Sequence, residues 1–463
     1  MKEQTKEGSL NFSVKSYITA LTVIFALMVL TYVLTLVIPG GKFERDAATG
    51  ELIEGSFRYV EGGIPFWKWI LSPFLVLGAQ GSGTLIAVII FLLVIGGVFN
   101  ALSEHNLMKY MLDKIVSKYG ANRYRLQAIL IFFFMAMGAM IGSFEECVPL
   151  VPIVVALSVS LGWDRLTGMG MSLLAVGCGF ASGVCNPFTV GVAQELAGLP
   201  MFSGIWLRLL SFVCIFLLVW LFVRYHAKKV EKPVQMTSAQ ALVRDCRMDR
   251  GIAWFAGILG TGIALVLCSG FLTFLQDYTM IIVAVMFLAG GIVATFMSGM
   301  SGKELAKSFG SGVVSVLPAI LLILMASSIK YILETAHVLD TILNGAVGLA
   351  GTMPRWVVIL FVYFIVLMME FFISSGSAKA FMLIPLIVPL AQQFGISAQL
   401  CIVAFAFGDG FSNVFYPTNP ALLISLGLAD VSYGDWFRWS WKFQFMNLVM
   451  TSGLLFLGMA AGY

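Results

Sequence analysis

Two adjacent carboxylates, Glu145 and Glu146, stand in the otherwise apolar stretch Gly142 to Gly162, GSFEECVPLVPIVVALSVSLG. A lysine, Lys379, stands in a second such stretch, Ser375 to Gly395, SGSAKAFMLIPLIVPLAQQFG. Paired acids can hold a cation, an ammonium group or a proton, and a lysine flanked by serine hydroxyls can hold a carboxylate. Pro152 corresponds to Pro385, Gly162 to Gly395 and Glu146 to Lys379, each pair 233 residues apart. One copy thus offers acid where the other offers base. That suits a zwitterion, with Lys379 and serine hydroxyls such as Ser375 and Ser377 on its carboxylate and Glu145 or Glu146 on its amine; Ser143 is a further substrate-binding candidate. Two readings assign no ligand: Glu146 and Lys379 pair with one another, or the acidic tip lies solvated at the membrane surface.

Each stretch is followed by a segment rich in Gly, Asn and Pro: GCGFASGVCNP, Gly177 to Pro187, and GDGFSNVFYPTNP, Gly408 to Pro420. Further on, Gly204 to Arg208 (GIWLR) matches Gly434 to Arg438 (GDWFR), 230 residues apart. The order of the matches marks an internal repeat. Proline removes backbone donors and breaks a helix, and backbone freed at bilayer depth must be buried in protein or line a cavity. Asn186 and Thr189 at the first break, and Asn413, Thr418 and Asn419 at the second, are neutral candidates for substrate binding. Ser182, Asp409 and Ser412 are candidates for coupling to Na⁺ or H⁺. Glu370 and Glu195 are weaker candidates, placed near span ends. With three histidines and no Cys-x-x-Cys pair, no metal or cofactor site is expected. The cysteines read as small packing residues.

The elements that must position these groups are set by composition. The 463 residues are 59% hydrophobic and 11% charged, with a net charge of +4. A soluble domain carries about 25% charged residues, so the solvent is lipid, and a cytosolic enzyme or nucleic-acid binder is excluded. No nucleophile and base pair suited to an intramembrane enzyme stands out. Apolar runs of about 20 residues predict spans at 17–39, 83–103, 166–197, 205–223, 252–275, 279–298, 311–332, 398–427 and 436–461. The first run is too long for a signal-peptide core and is read as a retained span. The stretch 64–79, broken by Pro73, looks interfacial. The loops 104–125 and 224–250 are basic and belong on the cytoplasmic side. Parity then requires a hairpin at 126–163 that enters and returns from the cytoplasm, and one at 355–395 that enters and returns from outside. The N-terminus falls inside and the C-terminus outside. The fold expected is an all-α polytopic membrane protein of two halves, 1–250 and 251–463. Each half holds one re-entrant hairpin and one broken span, at 166–197 and 398–427. Paired broken segments in inverted halves point to the central binding site of a secondary transporter.

These hairpins and broken spans resemble the ion transporter superfamily. Within it the chain is most similar to the C4-dicarboxylate anaerobic carrier family, in its YfcC-like branch, most specifically in GSFEECVPLVP and GDGFSNVFYPTNP. The resemblance implies a bacterial inner-membrane carrier, an elevator movement and a homodimer. Sodium/dicarboxylate symporters of the superfamily carry Ser-Asn-Thr at each tip. Here the tips read Ser143-Phe144-Glu145 and Ser375-Gly376-Ser377. The YfcC-like branch is associated with basic amino acids, including arginine/ornithine exchange, and the acids at Glu145 and Glu146 fit a cationic substrate. The alternative is a C4-dicarboxylate carrier of the succinate/fumarate type.

Overall fold

The computed structural model describes residues 14–44, 53, 55–79, 82–142, 144–200, 202–232, 245–269, 279–350 and 353–463. Among them, five helical stretches are long and apolar enough to cross a membrane: Leu85–Glu104, Leu107–Met140, Ile205–Val230, Gly302–Thr335 and Tyr433–Ala460. Shorter apolar helices lie before and between them. The described strands are two residues each, Gly41–Lys42 and Arg58–Tyr59, paired in the loop after the first helix.

The same order of elements occurs twice. A long helix (Gly83–Glu104; Gly302–Thr335) turns into a short one (Leu107–Tyr119; Val338–Ala350). Both turns carry a non-glycine residue in the left-handed region, Asn106 at φ 57° and His337 at φ 56°. A hairpin follows, with arms Arg123–Ile141 and Val151–Ser160 in the first copy, Arg355–Glu370 and Gly376–Gln393 in the second. Then come the broken segments: Arg165–Met169, a wider turn at Gly170–Leu174, Ala175–Ser182 and Val192–Leu196; and Ala398–Ser412 with Pro420–Leu428. A long helix closes each copy, Ile205–Val230 or Tyr433–Ala460.

The helix Ile205–Val230 shows how the hairpins are directed. Its 26 residues extend about 39 Å at 1.5 Å per residue. Just past its C-terminal end, Lys232 N donates to Gly162 O at 2.8 Å, and Glu231 pairs with Arg123. Those contacts hold the base of the first hairpin. Just before its N-terminal end, Gly204 O accepts from the Tyr463 hydroxyl, and Ser203 meets Gln399. Ser397, at the base of the second hairpin, donates to Tyr463 O. The two hairpin bases therefore sit at opposite ends of one long helix.

The helices pack in two groups. One joins Val14–Val37, Phe66–Leu75, Gly83–Glu104, Cys246–Ser269, Thr279–Met297 and Gly302–Thr335. Small residues let its backbones approach, as membrane helices require: a Cβ on Gly312 would lie 2.3 Å from Gly96 O. The other group joins the hairpins, the broken segments and the two closing helices. Its two broken segments cross at Gly410, where a Cβ would lie 2.2 Å from Ala181 Cα.

Several expected spans change in extent. The one expected at 205–223 continues to Val230, and that at 311–332 lies inside Gly302–Thr335, which contains Pro318. In 64–79 the helix Phe66–Leu75 has ten residues, about 15 Å, too short to cross. Trp69 Nε1 ties it to Met28 O at 3.0 Å. The span expected at 252–275 begins in Cys246–Ser269; its last residues, and 233–244 of the basic loop, lie outside the described residues.

Candidate functional site

The hairpin tips meet the broken segments at a common junction. Ser375 caps the helix Gly376–Gln393, accepting from Ala378 N at 3.5 Å. This starts the helix at the tip and places Lys379 in its first turn. A Cβ on Gly376 would lie 2.6 Å from Thr189 Cγ2 and 2.8 Å from Asp409 Oδ2. The second tip thus rests on the first break and on the helix leading into the second. The first tip rests on the first break as well. Gly142, at φ 76°, ends the arm Arg123–Ile141, and a Cβ there would lie 2.3 Å from Asn186 Oδ1. Cys185 N donates to Ala139 O at 3.0 Å, fixing the break to that arm.

At the junction lies a buried ion cluster. The Lys379 Nζ is 2.5 Å from Asp409 Oδ1 and pairs also with the Glu370 carboxylate. The side chains of Lys379, Glu370 and Asp409 are 0%, 1% and 0% exposed. Charges buried so fully are stable only when paired. Glu145, half-buried, lies within electrostatic reach of Asp409. The tip of one half and the arm and broken segment of the other therefore share one field.

Lys379 thus pairs with Glu370, on the arm that precedes it, and with Asp409, on the helix that follows. The arm Arg355–Glu370 packs along Ala398–Ser412, and this brings Glu370 and Asp409 to the first turn of the return arm. Glu370 is the last residue of its arm, as expected of a residue near a span end, and it is also a buried partner of the lysine. Its sequence signal was an acid amid Met368, Met369, Phe371 and Phe372 with a lysine nine positions on, since an intramembrane acid needs a counter-charge. Glu195 is exposed.

The neutral candidates divide by what they bond. Asn419 Oδ1 accepts from Ala421 N at 2.9 Å and Leu422 N at 3.2 Å, while its Nδ2 donates to Asn413 Oδ1 at 2.6 Å. Asn413 Nδ2 donates to Asp409 O at 2.8 Å. These amides build the second break. Ser412 and Ser182 donate back along their own helices, to Gly408 O at 2.5 Å and Gly179 O at 2.6 Å. Asn186 Oδ1 accepts from Thr189 N at 3.3 Å. Thr189 Oγ1 and Thr418 Oγ1 are buried without a hydrogen-bond partner among the described residues. Ser377 is half-buried and Ser375 exposed. Ser143 and the side chain of Glu146 lie outside the described residues. Behind the second break, a cavity of ≈ 490 Å³ is lined by Tyr363, Phe411, Ser412, Tyr416 and Trp441, among others.

Known proteins resemble this chain to different degrees. The chain is 28% identical over 491 aligned residues to the Escherichia coli (strain K12) protein named "Putative basic amino acid antiporter YfcC", covering 96% of each chain. It is 24% identical to an uncharacterized protein of Haemophilus influenzae over 78% of this chain and 72% of that one. Among solved structures, the Alcanivorax borkumensis YdaH transporter superposes with a TM-score of 0.45 at 19% identity, covering 97% and 99% of the two chains. The Neisseria gonorrhoeae efflux pump MtrF superposes with a TM-score of 0.44 at 16% identity, covering 94% of each. The family description "C4-dicarboxylate anaerobic carrier" matches residues 19–460. This multi-pass membrane protein is a transporter rather than an enzyme, and it belongs to the C4-dicarboxylate anaerobic carrier (DcuC) family.

Proposed function

We propose that the protein is an inner-membrane secondary transporter that exchanges basic amino acids of the arginine/ornithine type. One observation carries the choice of substrate. Two carboxylates, Glu370 and Asp409, flank one ammonium, Lys379, and a third, Glu145, lies within electrostatic reach of Asp409. The formal excess is two acidic groups, which favours a substrate that brings positive charge over a dianion. The name carried by YfcC supports the same reading. The family description favours a C4-dicarboxylate instead; Lys379 would have to release both acids to receive one.

In this reading residues 1–250 and 251–463 are inverted repeats, supported by the recurrent element order and by hairpin bases at opposite ends of Ile205–Val230. The N-terminus is cytoplasmic and the C-terminus outside. The group holding the hairpins moves as an elevator against the other, within a homodimer; the division of the helices into two packed groups supports the movement. Glu145 and Glu146 meet the substrate's cationic end. Ser143, Ser375, Ser377, Asn186, Thr189 and Thr418 bind its polar groups, and Asn413 and Asn419 frame the site. Asp409, Ser182 and Ser412 set the coupling.

Proteoliposomes loaded with unlabelled arginine or ornithine provide the test. Internal basic amino acid should accelerate uptake of labelled arginine several-fold, while internal succinate should not. Faster exchange of succinate than of arginine would overturn the assignment in favour of the dicarboxylate carrier.

A further inference from the structure

A carboxylate pair buried in a membrane protein ordinarily calls for a bound cation. Here Glu370 and Asp409 have one already, tethered to the chain. The Lys379 ammonium contacts both, at 2.5 Å from Asp409 Oδ1, with all three side chains at most 1% exposed. Its anchor is rigid: Lys379 sits in the first turn of Gly376–Gln393, capped by Ser375 and seated on Thr189 and Asp409 through Gly376. Beside Asp409, Thr189 Oγ1 is buried with no partner among the described residues. That leaves a neutral oxygen at the site that the lysine does not engage, besides the second oxygen of each carboxylate.

We propose that Lys379 is a built-in counter-cation: it occupies, between Glu370 and Asp409, the position an inorganic coupling cation would take, so that the carrier works without sodium at this site. This rests on the reading of the junction as the transport centre, but not on the substrate being a basic amino acid. An ammonium and Na⁺ each carry one positive charge and are both satisfied by oxygen ligands. An ammonium has directional donors, whereas Na⁺ accepts carboxylate, hydroxyl and carbonyl oxygens alike. Replacing the lysine with a shorter, neutral side chain while keeping the acids should therefore convert the place its ammonium fills into a cation site. Glu370, Asp409 and the Thr189 hydroxyl would be its ligands.

The test measures thermal stability of the purified full-length protein in choline chloride and in NaCl of equal ionic strength. The wild type should melt at the same temperature in both. Lys379→Gln should be less stable in choline, and its Tm should rise with Na⁺ by about 2 °C or more. Adding Asp409→Asn to Lys379→Gln should abolish the response. A wild type that is stabilised by Na⁺ as strongly as Lys379→Gln, or a Lys379→Gln protein indifferent to Na⁺, would overturn the proposal. If Lys379→Gln does not fold in choline, its recovery by expression and purification in NaCl supports the idea. Failure of Lys379→Gln to fold in NaCl as well as in choline counts against it. Wild-type exchange in sodium-free liposomes is the independent arm, and a requirement for Na⁺ there would also overturn the proposal. A sodium-responsive variant with no arginine exchange in the wild type would sink the substrate assignment and leave this inference standing.

Discussion

The two hairpin tips occupy corresponding places and carry opposite charge. The first, around Glu145, winds as a tight turn over Glu145–Leu150, with Pro149 inside it and Pro152 just beyond. Its described carboxylate is half-buried. The second starts a regular helix at a serine cap and sends its lysine into full burial. The broken segments differ in the same sense. The first relaxes into wide turns at Gly170–Leu174 and Pro187–Gly191. The second is held by a chain of amide bonds through Asn413 and Asn419. The second half is thus a charge-compensated frame. The first half offers the less committed groups, Glu145 and the Thr189 hydroxyl, for a ligand to meet.

If the halves divide labour in this way, the largest effect should come from the lysine. Lys379→Met leaves two buried acids uncompensated and should cost about 3 to 5 kcal/mol of stability, read as a large fall in Tm. Glu370→Gln added to it should recover part of that loss. Glu145→Gln should instead leave Tm nearly unchanged while weakening arginine binding in calorimetry. Equal loss of stability from Glu145→Gln and Lys379→Met would erase the distinction.

Next in size are the tip glycines. Gly142→Ala places a methyl group at positive φ against Asn186 and should cost about 1 to 3 kcal/mol. Gly376 lacks the positive φ, so Gly376→Ala should cost less stability; both should slow exchange. A more damaging Gly376→Ala would show that close approach outweighs backbone conformation.

A smaller effect, about 1 kcal/mol, is expected for Asn419→Ala, which removes the cap of Pro420–Leu428. Asn419→Asp, which keeps the capping oxygen, should recover part of it. No change in Tm would mean that the second break is not held by this side chain.

The smallest concerns acid. Asp164 caps Arg165–Met169 and Ser397 caps Ala398–Ser412, again 233 residues apart. Burial pushes the Asp164 carboxyl up, but hydrogen bonds from His226 and Thr167 outweigh it and hold the carboxyl below its ordinary value of 3.8. A lowered carboxyl stabilises the fold above its unfolded value and loses that contribution as pH falls through the folded one. The Tm gap between wild type and Asp164→Asn should therefore close on acidification below 3.8. Ser397→Ala should show no such closure. A gap that widens in acid would reverse the assigned sign.

Much of this frame was legible in the chain. GSFEECVPLVP and GDGFSNVFYPTNP locate a tip and a break because proline, glycine and clustered polar residues stand out against apolar sequence. The cluster around Lys379 was only half legible. The repeat aligns Lys379 with Glu146 and marks it as a base at a tip, for a substrate carboxylate or for that acid. That Glu370 and Asp409 lie against it depends on how helices pack, which linear spacing does not encode. Asn413 and Asn419 were recognised as polar residues at a break. Whether such an amide faces a ligand or its own backbone is decided by cap geometry.

The position of Lys379's partners in the chain bears on how the protein is made. Glu370 precedes Lys379 by nine residues, and Asp409 follows it by thirty. A lone lysine at the centre of a membrane helix resists insertion by roughly 2.5 to 3.5 kcal/mol. Here the first acid has already left the ribosome when the lysine emerges, and the second follows within one broken segment. The hairpin can enter the bilayer with its charge half answered and be fully answered before Tyr433–Ala460 is synthesised, without help from the first half.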